Sequence, residues 1–234
     1  MNNFLKISDQ PSIGIASPKL IGNRLDADYY RITFVENEEV LHESNIPIEM
    51  LGNMWIEANY GSLPDSVDYS EDGILLIRGT DISGYGIAPE NELIRVPASY
   101  YHKFKKAQVF PGYLLILVKG ASIDREDSNA IIPASFAEHA IINGSVFKVK
   151  LKPELNNYYV AAFMFSRHFL LQKRRSVTNT GALYNDLETI RNYRIALPHP
   201  EIQSYIGNKV RLAEKCREEA WISKNRAYDN LRNL

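Results

Sequence analysis

The chain has a single cysteine, Cys216, in 234 residues. No internal disulfide can form, and the sequence fits a reducing cytoplasm. No apolar run is long enough to span a bilayer, and Met1-Asn2-Asn3-Phe4 lacks the basic and apolar regions of a signal peptide. A cytoplasmic protein without a membrane partner is expected. Charge of one sign is also missing: 27 Lys and Arg against 28 Asp and Glu leave a net charge of −1. That excludes a uniformly basic nucleic-acid binder, because phosphate neutralisation needs concentrated positive charge.

Catalytic signatures are absent as well. Without a Pro-Pro pair, the Asn/Asp-Pro-Pro-aromatic loop of adenine amino-methyltransferases cannot form. No Asp or Glu is followed two residues later by Lys, which removes the metal-and-lysine signature of common restriction nuclease cores. His42, His102, His139, His168 and His199 stand far apart, with no His-x-His or His-Glu-x-x-His pair. Gly79-Thr80-Asp81-Ile82-Ser83-Gly84-Tyr85-Gly86 lacks the Gly-Lys-Ser/Thr end of a phosphate loop and reads as a turn, with Gly84 and Gly86 at positive φ. Gly120-Ala121-Ser122 has no nucleophile-elbow spacing, and Cys216 reads as a small packing residue. Together these absences point to a binding function, with no catalytic residue and no metal ligand in the chain.

What is present is an ordinary globular composition, 45% hydrophobic and 24% charged, so a sizeable core can form. Fourteen tyrosines hint at a surface that is half apolar and half hydrogen-bonding. Charge is segregated along the chain. Cations cluster at Lys103-Lys105-Lys106, at Lys119 and Arg125, at Arg167-His168 and at Lys173-Arg174-Arg175, whereas acids gather at Glu36-Glu38-Glu39 and Asp65-Asp68-Glu71-Asp72.

The stretch through Lys19 reads as a loosely packed lead-in. Ile48, Leu51, Trp55 and Ile56 are spaced for a helix over Pro47 to Ala58. Short apolar runs broken by Gly, Pro, Asn and Asp then indicate strands, at 73–78, 112–118 and 146–151. In the last of these, alternation of apolar residues with Lys148 and Lys150 predicts one solvated face. Helical spacing returns from Glu154 to Gln172, with Pro153 suited to the first turn.

Thr180-Gly181-Ala182-Leu183 leads through Leu187 and Ile190 to Tyr193-Arg194-Ile195-Ala196-Leu197-Pro198-His199-Pro200-Glu201-Ile202-Gln203. This reads as a short strand, a stop and a helix start, with Pro200 in the first turn where its missing N–H costs nothing. Beyond it, Ile202, Ile206, Ala213, Cys216, Ala220 and Ala227 form a coiled-coil stripe, interrupted by Lys209 and Ser223. Such a stripe has to be buried, against its own domain or against a partner helix. No second element beyond Pro198 is available to cover it, which favours the partner. The expected organisation is α+β, with a mixed, β-rich recognition domain over 1–197 and a protruding dimerisation and spacer helix over 198–234.

Several phrases, in order over residues 24–231, resemble the DNA specificity subunits of type I restriction-modification systems. They are Arg24-Leu25-Asp26-Ala27-Asp28-Tyr29-Tyr30, Tyr60-Gly61-Ser62-Leu63-Pro64, the Arg78-Gly79-Thr80-Asp81-Ile82 step, Pro111-Gly112-Tyr113-Leu114-Leu115-Ile116 with Lys119-Gly120-Ala121-Ser122-Ile123, Ala140-Ile141-Ile142-Asn143-Gly144, and the Leu-Pro-x-Pro junction. Tyr113 departs from the acid usual at its position. The resemblance implies a target recognition domain that reads one half of a split DNA site without chemistry of its own. It implies duplex DNA and DNA adenine methyltransferase (modification) subunits as partners, with S-adenosylmethionine held by the methyltransferase and no cofactor in this chain. A restriction subunit is a further partner that it allows. Because a full subunit has two such domains and two long helices, a chain with one of each is expected to be a half-subunit or a fragment. Two copies paired through the helix would read a palindromic split site. The alternatives are a recognition fragment of a fused methyltransferase-nuclease and an assembly protein without DNA affinity.

Lys103, Lys105 and Lys106 are the candidates for phosphate contact, with Lys173, Arg174 and Arg175 as a second patch. Arg125 and Asn129 are the candidates for base reading, since Arg suits guanine and Asn suits adenine in the major groove. The alternative for each is a solvated surface group.

Overall fold

Ile74–Ile77 and Leu114–Leu117 are runs of four apolar residues buried along their whole length. An unbroken apolar run needs cover on both faces, and each of these becomes an inner strand of its own four-stranded sheet. The computed structural model describes residues 27–62, 69–177 and 183–232. The lead-in through Lys19, Arg24-Leu25-Asp26, Leu63-Pro64 with Asp65 and Asp68, and Thr180-Gly181-Ala182 lie outside them.

The elements are α1 (Ile32–Glu43), β1 (Ile48–Met50), α2 (Leu51–Met54), β2 (Trp55–Tyr60), β3 (Ile74–Ile77), β4 (Ile82–Ser83), β5 (Gly86–Ile87), β6 (Ile94–Val96), α3 (Ser99–Lys103), β7 (Gln108–Val109), β8 (Leu114–Leu117), β9 (Asn129–Ile131), β10 (Ala140–Ile142), β11 (Val146–Leu151), α4 (Asn157–Met164), α5 (Arg167–Ser176), α6 (Leu187–Arg191), β12 (Arg194–Ala196) and α7 (Pro200–Arg232). One sheet runs β6-β3-β10-β7, with β3 and β10 parallel and the outer pairs antiparallel. The other runs β2-β11-β8-β9 and is antiparallel throughout.

The second sheet is the middle layer. Leu115, Ala130 and Val146 face the core shared with the first sheet. Leu114, Ile116, Ile131, Phe147 and Val149 face a second core closed by α4, α5, α6 and the start of α7. The helices begin where polar side chains take up their free N–H groups. Asn156 Oδ1 accepts from Tyr159 N at 3.0 Å, Ser166 Oγ from Phe169 N at 3.4 Å, and Asp186 Oδ1 from Thr189 N at 2.8 Å.

The structure corrects four local expectations. Pro47 to Ala58 is not one helix but strand, single turn and strand, because Trp55–Tyr60 pairs with β11 while Leu51 and Met54 drop into the second core. Glu154 to Gln172 is two helices, broken where Ser166 caps the second. Only Lys150 makes the solvated face of β11, for Lys148 is buried. In the β4–β5 turn, positive φ falls on Gly84 (58°) and Tyr85 (63°) rather than on Gly86. Gly86 lies against the Arg217 guanidinium, which a Cβ there would meet at 1.9 Å and displace.

The long helix does start at Pro200 after β12. It does not simply protrude. Ile206 and Val210 pack on the second core, Gly207 faces Asn156, Arg217 Nη1 donates to Gly84 O at 3.1 Å, and Trp221 Nε1 donates to Glu92 Oε1 at 3.1 Å. One face of α7 therefore lies along its own domain as far as Trp221.

Candidate functional site

Lys103 ends α3, and Lys105 and Lys106 lie in the 3-10 turn that follows, pinned by fully buried Ala107. All three are exposed, and none forms an ion pair among the described residues. Aromatic groups flank Lys103. Lys103 Nζ lies 5.3 Å from the Tyr100 ring centroid and 5.1 Å from that of Phe104. Tyr101 stacks on His139 at 4.4 Å, and Phe110 is exposed. Gln108 Nε2 donates to Tyr101 O at 2.8 Å, tying α3 to edge strand β7. Unpaired cations among ring faces are the elements of a surface for phosphates and bases.

The other expected DNA contacts are not gathered there. Asn129 lies inside β9 and not in a loop, where its Nδ2 donates to Met164 O at 3.0 Å and its Oδ1 accepts from Lys173 Nζ at 3.1 Å. Its polar atoms are spent inside the protein, so it cannot reach a base edge. Lys173 has no exposed surface and also donates to Ser128 Oγ at 2.7 Å; burial pushes its ammonium down to about 7, against the pull of Asp124. Arg175 is buried too, 4.1 Å over the Tyr29 ring and paired with Glu38 at 3.4 Å. Lys173 and Arg175 are therefore not a phosphate patch but struts of the fold. Arg174 is half-buried, with Nε donating to Asp124 O at 3.1 Å. Arg125 is partly exposed; it donates to Ile82 O at 2.7 Å and pairs with Asp127, whose other oxygen accepts from Gly84 N at 2.8 Å.

Sequence reasoning missed a polar cluster under β11. Lys148 Nζ donates to Glu57 Oε1 and to Gln108 O, each at 2.5 Å, and Tyr113 OH donates to Glu57 Oε2 at 3.1 Å. Burial and the Glu57 charge raise the Tyr113 phenol. The only signal was Tyr113 itself, standing where the resembled family carries an acid. The cluster welds β2, β11 and the β7 edge together beneath the Lys103–Lys106 turn.

Of the expected assembly stripe, Ile202, Ala213, Cys216, Ala220 and Ala227 are exposed. Ile206 is not part of that face, because it packs on the second core. Tyr205 and Leu212, 65% and 55% exposed, join the outward face and were not foreseen. Among the described residues no group of three His, Cys, Asp or Glu could hold a metal ion, and no helix is long and apolar enough to cross a membrane.

No protein-family model and no curated protein matches the chain. Solved structures do. A chain of a type I R-M system, solved for the structural basis of its complex assembly and conformational transition, aligns with a TM-score of 0.51 at 15% identity, over 86% of this chain and 50% of that one. The type I restriction-modification S subunit from M. genitalium aligns with a TM-score of 0.53 at 14% identity, over 79% of this chain and 44% of its own. The architecture, two sheets with a long C-terminal helix, is that of a type I specificity subunit. The chain spans about half the length of these structures.

Proposed function

We propose that the chain is a non-catalytic DNA-recognition component of a restriction-modification complex. Its domain reads one half of a bipartite site, and α7 helps dock DNA adenine methyltransferase subunits, which supply methyl transfer from S-adenosylmethionine. The observation that carries this reading is the specificity-subunit fold over half such a subunit's length, joined to a helix with an uncovered outward face. A second copy paired through α7 would set two such domains on a palindromic split site. Phosphate contact falls to Lys103, Lys105 and Lys106, and Arg125 is the remaining base-reading candidate.

The burial of Asn129, Lys173 and Arg175 favours one other reading, an assembly protein whose domain lacks DNA affinity. Mapping methylated adenines in host DNA with and without the chain separates the two. A split motif methylated only in its presence is expected. An unchanged methylome, with the chain still bound to the methyltransferase, would mean assembly alone.

A further inference from the structure

A cleft of about 580 Å³ opens where the domain meets α7, between the Pro111–Tyr113 turn, the end of β11 and the segment leading into α4. Three cations converge on it from different parts of the fold: Lys150 from β11, Lys152 from the turn after it, and Arg211 from α7. None has a carboxylate within ion-pair distance among the described residues, and Glu154 is the one acid on the rim. Rings help to aim the cations. Arg211 Cζ lies 4.7 Å from the Tyr158 ring centroid, and Lys150 Nζ lies 5.8 Å from that of Tyr113. Glu57, Glu49 and Glu214 lie near Lys150, Lys152 and Arg211 in turn but do not pair with them, so the three cation heads keep free donors and favour an anion at the cleft. Guanidinium and ammonium groups of this kind suit a phosphate, the one in a fork and the other as a point charge.

We propose that this cleft is a phosphate site bridging the recognition domain and α7, and that its phosphate comes from the backbone of bound DNA. Only that source rests on the DNA-recognition reading. Lys106 and Pro111, on the wall of the cleft, are five positions apart, no more than about 18 Å of chain. Phosphates of one DNA strand recur every ~3.4 Å along the axis, so the lysine turn and the near wall of the cleft lie within about five phosphates of each other. A strand held at Lys103–Lys106 can therefore run on into the cleft. Because Arg211 belongs to the helix, a phosphate seated there also clamps α7 to the domain that reads the site.

Inorganic pyrophosphate tests the site without DNA. In the full chain, saturating pyrophosphate slows hydrogen exchange of α7 amides around Arg211 several-fold. Arg211→Gln and the double change Lys150→Gln/Lys152→Gln lose that protection with an unchanged melting temperature, whereas Lys150→Arg/Lys152→Arg keeps it. With duplex DNA, the triple Gln variant has a plot of log affinity against log salt shallower by about 2 to 3, since each contact contributes roughly 0.9. Protection by pyrophosphate with an unchanged duplex slope overturns DNA as the source. A chain that binds no duplex but keeps the protection sinks the DNA-recognition reading and leaves the phosphate site standing. No protection together with an unchanged slope overturns the site itself.

Discussion

Lys173 and Asn129 hold each other inside the protein, Nζ to Oδ1 at 3.1 Å, with neither side chain open to water. Both residue types read as surface in the sequence, one for phosphate and one for a base. Paired, they satisfy each other, and Ser128 Oγ accepts a second hydrogen bond from Lys173 Nζ at 2.7 Å.

The burial that lowers the Lys173 ammonium to about 7 gives stability a pH dependence of definite sign. Above that value the folded chain holds the amine neutral, while the unfolded chain stays protonated up to its ordinary value. The unfolded state thus binds more protons, and this group makes stability rise with pH from about 7 toward 10. Lys173→Met removes the rise. At pH 9 it also leaves Ser128 and Asn129 without their donor and costs about 1–3 kcal/mol, and the deficit shrinks toward pH 6. Urea denaturation at the two pH values reads both effects; a deficit that does not change with pH counts against a titrating Lys173.

Glu214 works in the opposite sense. Burial raises its carboxyl to about 7 against Arg217, Tyr158 and Arg211, which favour the charged form, and Glu218 adds to the rise. Between the ordinary carboxylate range and 7 the folded chain keeps a proton that the unfolded chain has lost. The contribution is therefore full in acid and lost as pH rises through 7. Protection of α7 amides facing α4, measured relative to the base-catalysed intrinsic rate at each pH, is expected to be greater at pH 6 than at pH 8, and Glu214→Gln to flatten the difference. Equal protection at both values in the unmodified chain is the contrary result.

What the sequence made legible is what depends on neighbours in the chain. Ile74–Ile77 and Leu114–Leu117 read as buried strands because no polar residue interrupts them. Pro198 and Pro200 mark the start of α7 because proline acts locally. The Arg78 to Asp81 step of the family resemblance is a closed turn, with Asp81 accepting from Arg78 N and Nη2, each at 2.8 Å. The misread parts depend on distant partners. Ile48, Leu51 and Trp55 fit a helix by spacing, yet β11 draws Trp55 into a strand from far along the chain. Asn129 and Lys173 meet across 44 residues, and composition carries no trace of that meeting. Helix α7 was half legible, since its stripe showed that it needs cover, but of Ile206 and Ala213, one heptad apart in that stripe, only Ile206 packs on the second core while Ala213 is exposed.

The two faces of α7 are separable by mutation. A Cβ at Gly207 would lie 2.8 Å from Asn156 Oδ1, the cap of α4. Gly207→Leu has no room there, so it lifts the helix from α4 and disturbs the cap, at a cost of about 1–3 kcal/mol. Leu212→Glu on the outward face leaves stability within about 0.5 kcal/mol, while reducing self-association. Thermal melting and analytical ultracentrifugation of the two variants check this. If Leu212→Glu changes melting and not sedimentation, the outward face is not the assembly face.

The exposed lysine turn gives the most direct test of DNA contact. Lys103, Lys105 and Lys106 lie on one short turn, beside Phe104 and the Tyr101–His139 stack, above the Lys148–Glu57–Tyr113 cluster that fixes its base. Charge reversal of all three leaves that cluster intact, so melting stays within about 0.5 kcal/mol of the unmodified chain. Affinity for duplex DNA falls for every sequence alike, because phosphate contacts position without reading. The salt slope loses about 0.9 for each phosphate released. Arg125→Ala differs in kind: it leaves the slope nearly unchanged and relaxes preference at one base pair, by about 1–3 kcal/mol. Binding titrations at several salt concentrations, on a cognate and a scrambled duplex, distinguish the two. A uniform loss from Arg125→Ala, or a sequence-dependent loss from the lysine reversal, would exchange the roles given to the two sites.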